Sequence, residues 1–413
     1  MKEQILSGIN DPAQLEKLYR GNKAPFKREF SSLYPELKGN ALADFWNERL
    51  NYDADEVSWG TVNDLLFIGM AVLIAGLLAK LPAILPISEA YYYPRNIGFI
   101  VFPALAAYFA WKNKLSVQKI GFISIAMLVC VFYINSLPTS DTSDTLILAC
   151  IHLPLLLWVI LGVSYAGNEL GNYKKRLEYL RFNGDLIVMS AVLGLAGALM
   201  TGITIALFSL IGLQIEQFYA EYVVAFGLPA VPIVGAYLTQ TNPQLVNKVS
   251  PIIAKIFSPL VLVMLVIYLF AIVYSGKDPY NDREFLLLFN VLLIGVMALI
   301  FFSVAESSGK TRKMDIWVLF LLSVVTVIVN GIALSAILFR ITEFGITPNR
   351  LAVLGSNFLM LCNLLLITFR LFKSINKPTE VVEAERSIAL FLPVYTLWTI
   401  IVVFVFPLVF GFR

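Results

Sequence analysis

Few residues in this chain can do chemistry, and most of those lie in or beside long apolar stretches. A charge in hydrocarbon is costly, so each such residue is a candidate site. Lys80 lies about fifteen residues into the first apolar stretch. It either lines a site or snorkels its ammonium toward an interface. His152 is the chain's one histidine. It stands about eight residues into its own stretch, roughly 12 Å deep at about 1.5 Å per residue. A neutral imidazole bonded to a neighbour is one reading, and a proton-linked switch is the other. One histidine builds neither a histidine metal centre nor a Ser/His/Asp triad, so no catalytic residue and no metal site are assigned.

A second group is Asp278, Asp282 and Glu284, three carboxylates within seven residues. Oxygen ligands of this kind bind divalent cations. Lys277 and Arg283 stand beside them and would neutralise the charge, which makes a solvated turn the competing reading. This loop is the only foothold for a membrane enzyme acting on a lipid-linked substrate.

The third group spans Phe339 to Arg350, between two apolar stretches. Gly345 supplies the left-handed backbone that a tight turn needs. Thr347 is placed to cap the next helix, with Pro348 at its first position. Arg350 then falls at the third helical position, where a cation opposes the helix dipole. It needs compensation from a carboxylate or from an anionic ligand. Glu343 is the nearest carboxylate, and Arg340 competes for it. A helix-hairpin clamp and an anion or headgroup site both fit.

Backbone features add two expectations. Gly227, Pro229 and Pro232 fall within one apolar stretch, and two prolines three apart remove two backbone donors there. A helix break of this kind lines binding sites in transporters, and a repaired kink is the alternative. Gly194, Ala198 and Gly202 form a row of small residues, which suits a close helix crossing.

These residues are positioned by a chain of 413 residues, 58% hydrophobic and only 14% charged. Soluble proteins carry about 25% charged residues, so disorder, nucleic-acid binding and an ordinary cytosolic enzyme are excluded. The net charge of +3 is too small to imply an acidic partner. Cys130, Cys150 and Cys362 all lie in apolar stretches without metal or disulfide spacing. No cofactor is implied.

A crossing needs roughly 20 mostly apolar residues. Eleven stretches qualify: 64–84, 96–112, 117–137, 144–166, 183–213, 219–239, 251–275, 284–305, 315–339, 349–371 and 388–411. The second is short, so ten and twelve are the neighbouring counts. The fold class is therefore all-α: a polytopic membrane domain over 61–413, behind a short helical region over 1–60. Lysines and arginines concentrate in alternate loops: Lys112, Lys114 and Lys119; Lys174 to Arg181; Lys248 and Lys255; Lys310 to Lys313; Arg370 to Arg386. The positive-inside rule makes these loops cytoplasmic. The N-terminus is then cytoplasmic and Arg413 lies outside. No loop beyond the first 60 residues is long enough for a catalytic domain.

The polar start does not read as a secretory signal, since no apolar run follows it before about Leu65. Asp11-Pro12 marks a helix start. Phe26, Phe30 and Leu33 predict a second helix ended by Pro35, and Leu42, Phe45, Trp46 and Leu50 a third. So few residues rarely enclose a core alone. These helices are expected to lean on the membrane domain or on headgroups, as a packed skirt or as a surface for a protein partner.

The block from Arg340 to Arg350 resembles the R-x-x-E-[FY]-G-[IL]-T-x-x-R motif of a bacterial membrane family catalogued as domain of unknown function 4153. Phe257-Ser258-Pro259-Leu260-Val261-Leu262 is similar to a second block of that family. Leu15 to Tyr19 and Phe45 to Leu50 resemble its helical cytoplasmic start. Phe344 stands where tyrosine is commoner, which removes one hydroxyl. The resemblance implies an integral inner-membrane protein of unassigned activity, and it carries over no catalytic residue.

Three functions remain open. A permease-like protein would gather Lys80, His152, Arg340, Glu343 and Arg350 into an outward-facing polar site near the Gly227–Pro232 break. The scarcity of acids within the stretches counts against it. A non-catalytic sensor or scaffold would work through the N-terminal helices and a partner. A membrane enzyme would use Asp278, Asp282 and Glu284. The bilayer itself is the one partner that all three require.

Overall fold

The computed structural model describes all residues except 1, 22, 52–58, 139–142, 211–212, 247–248, 276–279, 281–282, 307–312, 378–379 and 413. Two compact units divide the chain, Met1–Ser58 and Trp59–Arg413.

The first unit holds α1 (Lys2–Ser7), α2 (Pro12–Gly21), α3 (Lys23–Leu37) and α4 (Ala41–Asn51). Asp11 caps α2, accepting from the Ala13 and Gln14 amides. Asn40 caps α4 in the same manner through Leu42 and Ala43. Pro35 does not end α3, which continues to Leu37. Contrary to the size argument, this unit encloses a core of its own. Ile5, Leu15, Phe26 and Phe30 are fully buried, and the Trp46 indole packs against Phe26 with ring centroids 5.2 Å apart. Aromatic side chains bury the most area per residue, which is how so short a unit closes. Glu16 ties its surface together, holding Arg20 at 2.7 Å and Arg49 at 2.8 Å.

The second unit begins with α5 (Val62–Ala79), the short α6 (Leu81–Ile84), α7 (Glu89–Lys112), α8 (Val117–Ser136), α9 (Asp144–Ala166) and α10 (Tyr173–Leu210). It continues with α11 (Glu216–Phe218), a π-helical turn over Tyr219–Val224, α12 (Ala225–Thr241), α13 (Pro243–Val246), α14 (Ser250–Ser275) and α15 (Arg283–Glu306). It ends with α16 (Lys313–Phe344), α17 (Pro348–Asn376), α18 (Val381–Ile400), a π-helical stretch and α19 (Phe406–Val409). No strand occurs among the described residues. In hydrocarbon each backbone polar group must be satisfied within its own segment, which helices achieve.

Ten of these segments are long and apolar enough to cross a membrane, among the described residues. Their outward faces are apolar: Phe132, Leu195 and Phe270 are each more than 70% exposed. Exposed apolar area on this scale is tolerated only against lipid or a partner. The chain is an all-α, multi-pass membrane protein.

The stretch 96–112 is the exception on composition. Its helix, α7, starts earlier, at Glu89, and its first turns carry three tyrosines and Arg95. Yet α7 runs antiparallel along the whole of α5. At one end Lys112 meets Asp64 at 2.5 Å. At the other the Tyr92 hydroxyl donates to the Leu78 carbonyl at 2.8 Å, and Tyr93 to Ala79 at 3.0 Å. Whatever α5 crosses, α7 crosses too.

The same alternation holds through the unit. At the end where Trp59 enters, Asn113 bonds the Ser164 carbonyl, Lys119 the Gly167 carbonyl and Arg181 the Ala305 carbonyl. Lys255 pairs there with Asp315, and Arg370 with Glu383. At the opposite end Asn96 bonds Asn135, Arg350 bonds Phe344, and the Ser143 hydroxyl donates to the Phe412 carbonyl. The chain therefore enters at one end, here the proximal end, and finishes at the other, the distal end.

Two corrections concern helix contacts. α10 is 38 residues long, about 57 Å at about 1.5 Å per residue. Its charged start, Lys174 to Arg181, is helix rather than loop. The row Gly194, Ala198, Gly202 makes no close crossing, since nothing stands within 4 Å of a Cβ built on Gly194 or Gly202. Close approach occurs instead at Gly76 under Phe226, Gly184 under Phe302 and Gly355 under Trp398.

Candidate functional site

The residues singled out from the sequence are each engaged separately. Lys80 caps the C-terminus of α5 and sets its Nζ 3.4 Å from the Tyr222 ring centroid, a cation–π contact at the distal end. His152 lies two turns into α9. Its Nδ1 stands 2.8 Å from the Leu148 carbonyl oxygen, which can only accept, so Nδ1 carries the hydrogen. Leu148 packs with Ala352, Val402 and Phe406 in an apolar cluster, and Trp398 covers it.

The hairpin between α16 and α17 follows the local reading in its backbone. Gly345 has φ +76, and Thr347 Oγ1 accepts from the Arg350 amide at 3.3 Å. The turn is shorter than the sequence suggests, because Phe339–Phe344 completes α16. The clamp also differs. Glu343 is exposed, and Arg350 Nη1 donates instead to the Phe344 and Gly345 carbonyls, each at 2.7 Å. These carbonyls form the negative end of the α16 dipole. They compensate Arg350 in place of a carboxylate. Among the described residues no hydrogen bond or ion pair joins any two of Lys80, His152, Arg340, Glu343 and Arg350.

The expected break is not a break. α12 runs through Gly227, Pro229 and Pro232 as continuous helix. The irregularity lies one turn earlier, in the π-helical Tyr219–Val224. Asp278 and Asp282 lie outside the described residues, as does the side chain of Glu284 at the start of α15.

The polar constellations that the structure does assemble lie elsewhere. The first is at the start of α5. Asp64 is buried, with its carboxylate accepting from the Thr61 amide and hydroxyl, both at 2.9 Å, and from Lys112. The Tyr108 hydroxyl beside it is buried without a partner.

The second is larger and draws on several helices at the proximal end. Arg181, on α10, bonds the Ala305 carbonyl at the end of α15. Its charge acts on Asp185 one turn along α10, on Glu306 at the end of α15 and on Glu385 in α18. Glu385 is 5% exposed, and its Oε1 has no hydrogen-bond partner. Asp185 Oδ1 accepts from the Ser250 hydroxyl at 2.5 Å, at the start of α14. Beside this cluster opens a cavity of about 280 Å3 lined by Tyr165, Glu178, Arg181, Asp185, Thr239 and Gln240, among others. Among the described residues, all three carboxyl groups feel this one guanidinium. Glu306 ends α15 and Glu385 lies near the start of α18, whereas Asp185 stands well inside α10. Nothing local signalled that they converge.

A third set lies deeper in the α15–α18 bundle. Asn357 Nδ2 donates to Asn290 at 2.8 Å, and Asn363 Nδ2 to the Tyr395 hydroxyl at 3.1 Å. Asn330 is fully buried, with neither side-chain polar atom bonded. No group of three or more metal-ligating side chains occurs among the described residues. Comparisons with protein-family models, with curated proteins and with solved structures return no match for this chain.

Proposed function

We propose that this chain is a permease-like protein of a bacterial cytoplasmic membrane, crossing it eleven times. The described cations of the lysine- and arginine-rich segments, Lys112, Lys119, Arg181, Lys255 and Arg370, make their contacts at the proximal end, which supports a cytoplasmic face there and a C-terminus outside. The observation that carries the permease reading is the gathering of Asp185, Glu306 and Glu385 around Arg181, beside a cavity. Acids remain scarce within the stretches, since Asp185 alone of the three falls inside one, but three helices contribute them to one place. Buried carboxyl groups beside a cavity are costly to keep charged, and a solute or proton path is a use that retains them. The polar site of this reading belongs to the proximal end rather than to the outward face. Membership of the domain of unknown function 4153 family, on the Arg340–Arg350 block, is part of the proposal and names no activity.

The test is electrical. Proteoliposomes on a solid-supported membrane are exposed in turn to amines, amino acids, sugars and carboxylates. A solute-triggered current that Glu385→Gln abolishes, in a variant that still folds, supports the reading. Silence across all classes, with intact protein in the bilayer, removes it.

The scaffold reading has one observation in its favour, the self-contained core of residues 1–58. A domain that folds around its own aromatic residues can present a stable surface to a partner. Deletion of residues 1–58 that spared solute currents while abolishing the cellular phenotype would favour it.

A further inference from the structure

We propose that the cavity beside Asp185 binds a small organic cation, with the Asp185 carboxylate as its counter-charge and the Tyr165 and Phe182 rings as its apolar wall. The inference rests on the permease reading and names the solute class for that same chamber.

Volume comes first. About 280 Å3 is the space of roughly nine waters at about 30 Å3 each. That is too roomy for a bare metal ion and smaller than drug-sized sites of about 300–1,000 Å3.

Charge selects the sign of the ligand. Two carboxylates line the cavity, Glu178 and Asp185. Glu178 is held by Lys175 at 2.8 Å. Asp185 has a neutral hydrogen-bond partner, the Ser250 hydroxyl. Arg181 also lines the wall and acts on Asp185 through space, but its Nε–H is turned to the Ala305 carbonyl and its charge is shared with Glu306 and Glu385. A carboxylate in a partly dehydrated wall is stabilised by a cation brought in from solution.

The walls select its chemistry. Phe182 lines the cavity beside Tyr165, and the two rings stack with centroids 5.2 Å apart and planes 26° apart. Aromatic faces next to a carboxylate recognise alkylammonium groups, because the ring quadrupole attracts the spread positive charge while the surface stays apolar. An inorganic cation gains less from such a wall, since it must give up tightly held water.

An orphaned hydroxyl completes the site. Thr239 is 4% exposed, lines the cavity, and its Oγ1 has no hydrogen-bond partner. Thr241 and Thr326 bond the carbonyl four residues earlier, as helical threonines commonly do. Thr239 does not, and a buried polar atom without a partner calls for one.

Thermal unfolding of the detergent-solubilised full chain tests this. Choline chloride and tetramethylammonium chloride are titrated against sodium chloride at equal ionic strength, with sodium acetate and glycine alongside. The expected result is a saturable rise in Tm with the two organic cations alone, and affinity about tenfold or more weaker in Asp185→Asn. Phe182→Leu, which keeps the core apolar, should also weaken binding, so the test survives if Asp185→Asn fails to fold. Organic cations no more effective than sodium, or an unchanged shift in both variants, overturns the proposal. The two readings fail separately. Saturable binding without current in proteoliposomes leaves the site and removes the permease. Currents from sugars or carboxylates without cation binding leave the permease and remove this solute class.

Discussion

Arg350 and Gly345 are joined by a 2.7 Å hydrogen bond from the guanidinium to the carbonyl, so the first turn of one membrane helix is tied to the last carbonyls of the one before it. The cation at the start of α17 is unfavourable to its own helix and favourable to α16. The hairpin works because the two helix ends are adjacent.

The tie makes a prediction that separates it from an ion pair. Arg350→Ala should destabilise the solubilised protein by about 0.5–1.5 kcal/mol, the net range for an exposed intramolecular hydrogen bond. Glu343→Gln should be close to neutral. Gly345→Ala should cost about 1–2 kcal/mol through its left-handed backbone. Thermal or denaturant unfolding measures all three, and a Glu343→Gln loss equal to that of Arg350→Ala would restore the carboxylate clamp.

Asp64 and Lys112 are unequal partners, with side chains 6% and 38% exposed. Lys112→Met leaves a buried carboxylate without its cation, whereas Asp64→Asn leaves a half-solvated lysine. The first should therefore cost more, about 1–3 kcal/mol, and the double variant should recover part of the loss. Unfolding of the four proteins gives the coupling, and equal single losses would contradict the asymmetry.

Gly355 lies under the Trp398 indole, with no room for a Cβ. Gly355→Val should lower stability by about 1–3 kcal/mol, as overpacking does. Trp398→Leu in the same chain should relieve it. Gly194→Val, in the open row of α10, should be tolerated. Folded yield by size-exclusion chromatography reads the series.

Topology is directly measurable. Alkaline phosphatase fused after Phe412 should be active outside, and fused in the short link between α17 and α18 it should be inactive. A crossing count of ten would reverse one of these results.

The first unit carries a pH dependence. Arg20 chiefly, with Arg49 beside it, holds the Glu16 carboxyl below the usual glutamate range against a smaller opposing effect of burial. A lowered folded-state value means the ion pairs stabilise the unit above the ordinary range. That contribution is lost as pH falls through the folded value. Hydrogen exchange in α2 and α4, corrected for intrinsic rates, should show protection falling on acidification, and Glu16→Gln should flatten that change.

How much of this could be read from the sequence depends on how local each feature is. Membrane crossing is a property of about 20 consecutive residues, so the helices and their alternation follow from composition and loop charge alone. Helix caps are equally local, and Asp11, Gly345 and Thr347 behave as their types and spacing require. Partnership is different. It depends on how each helix is rotated about its axis, and each residue turns the face by about 100°. Asp185, Glu306 and Glu385 are separated by long stretches of chain, and only packing brings them to Arg181. Phe182 and Tyr165 read as ordinary apolar positions until the cavity between α9, α10 and α12 gives them a common wall. The partner of Arg350 was likewise settled only in the structure, since a solvated Glu343 and the adjacent end of α16 both offer it an acceptor and the guanidinium turns to the carbonyls.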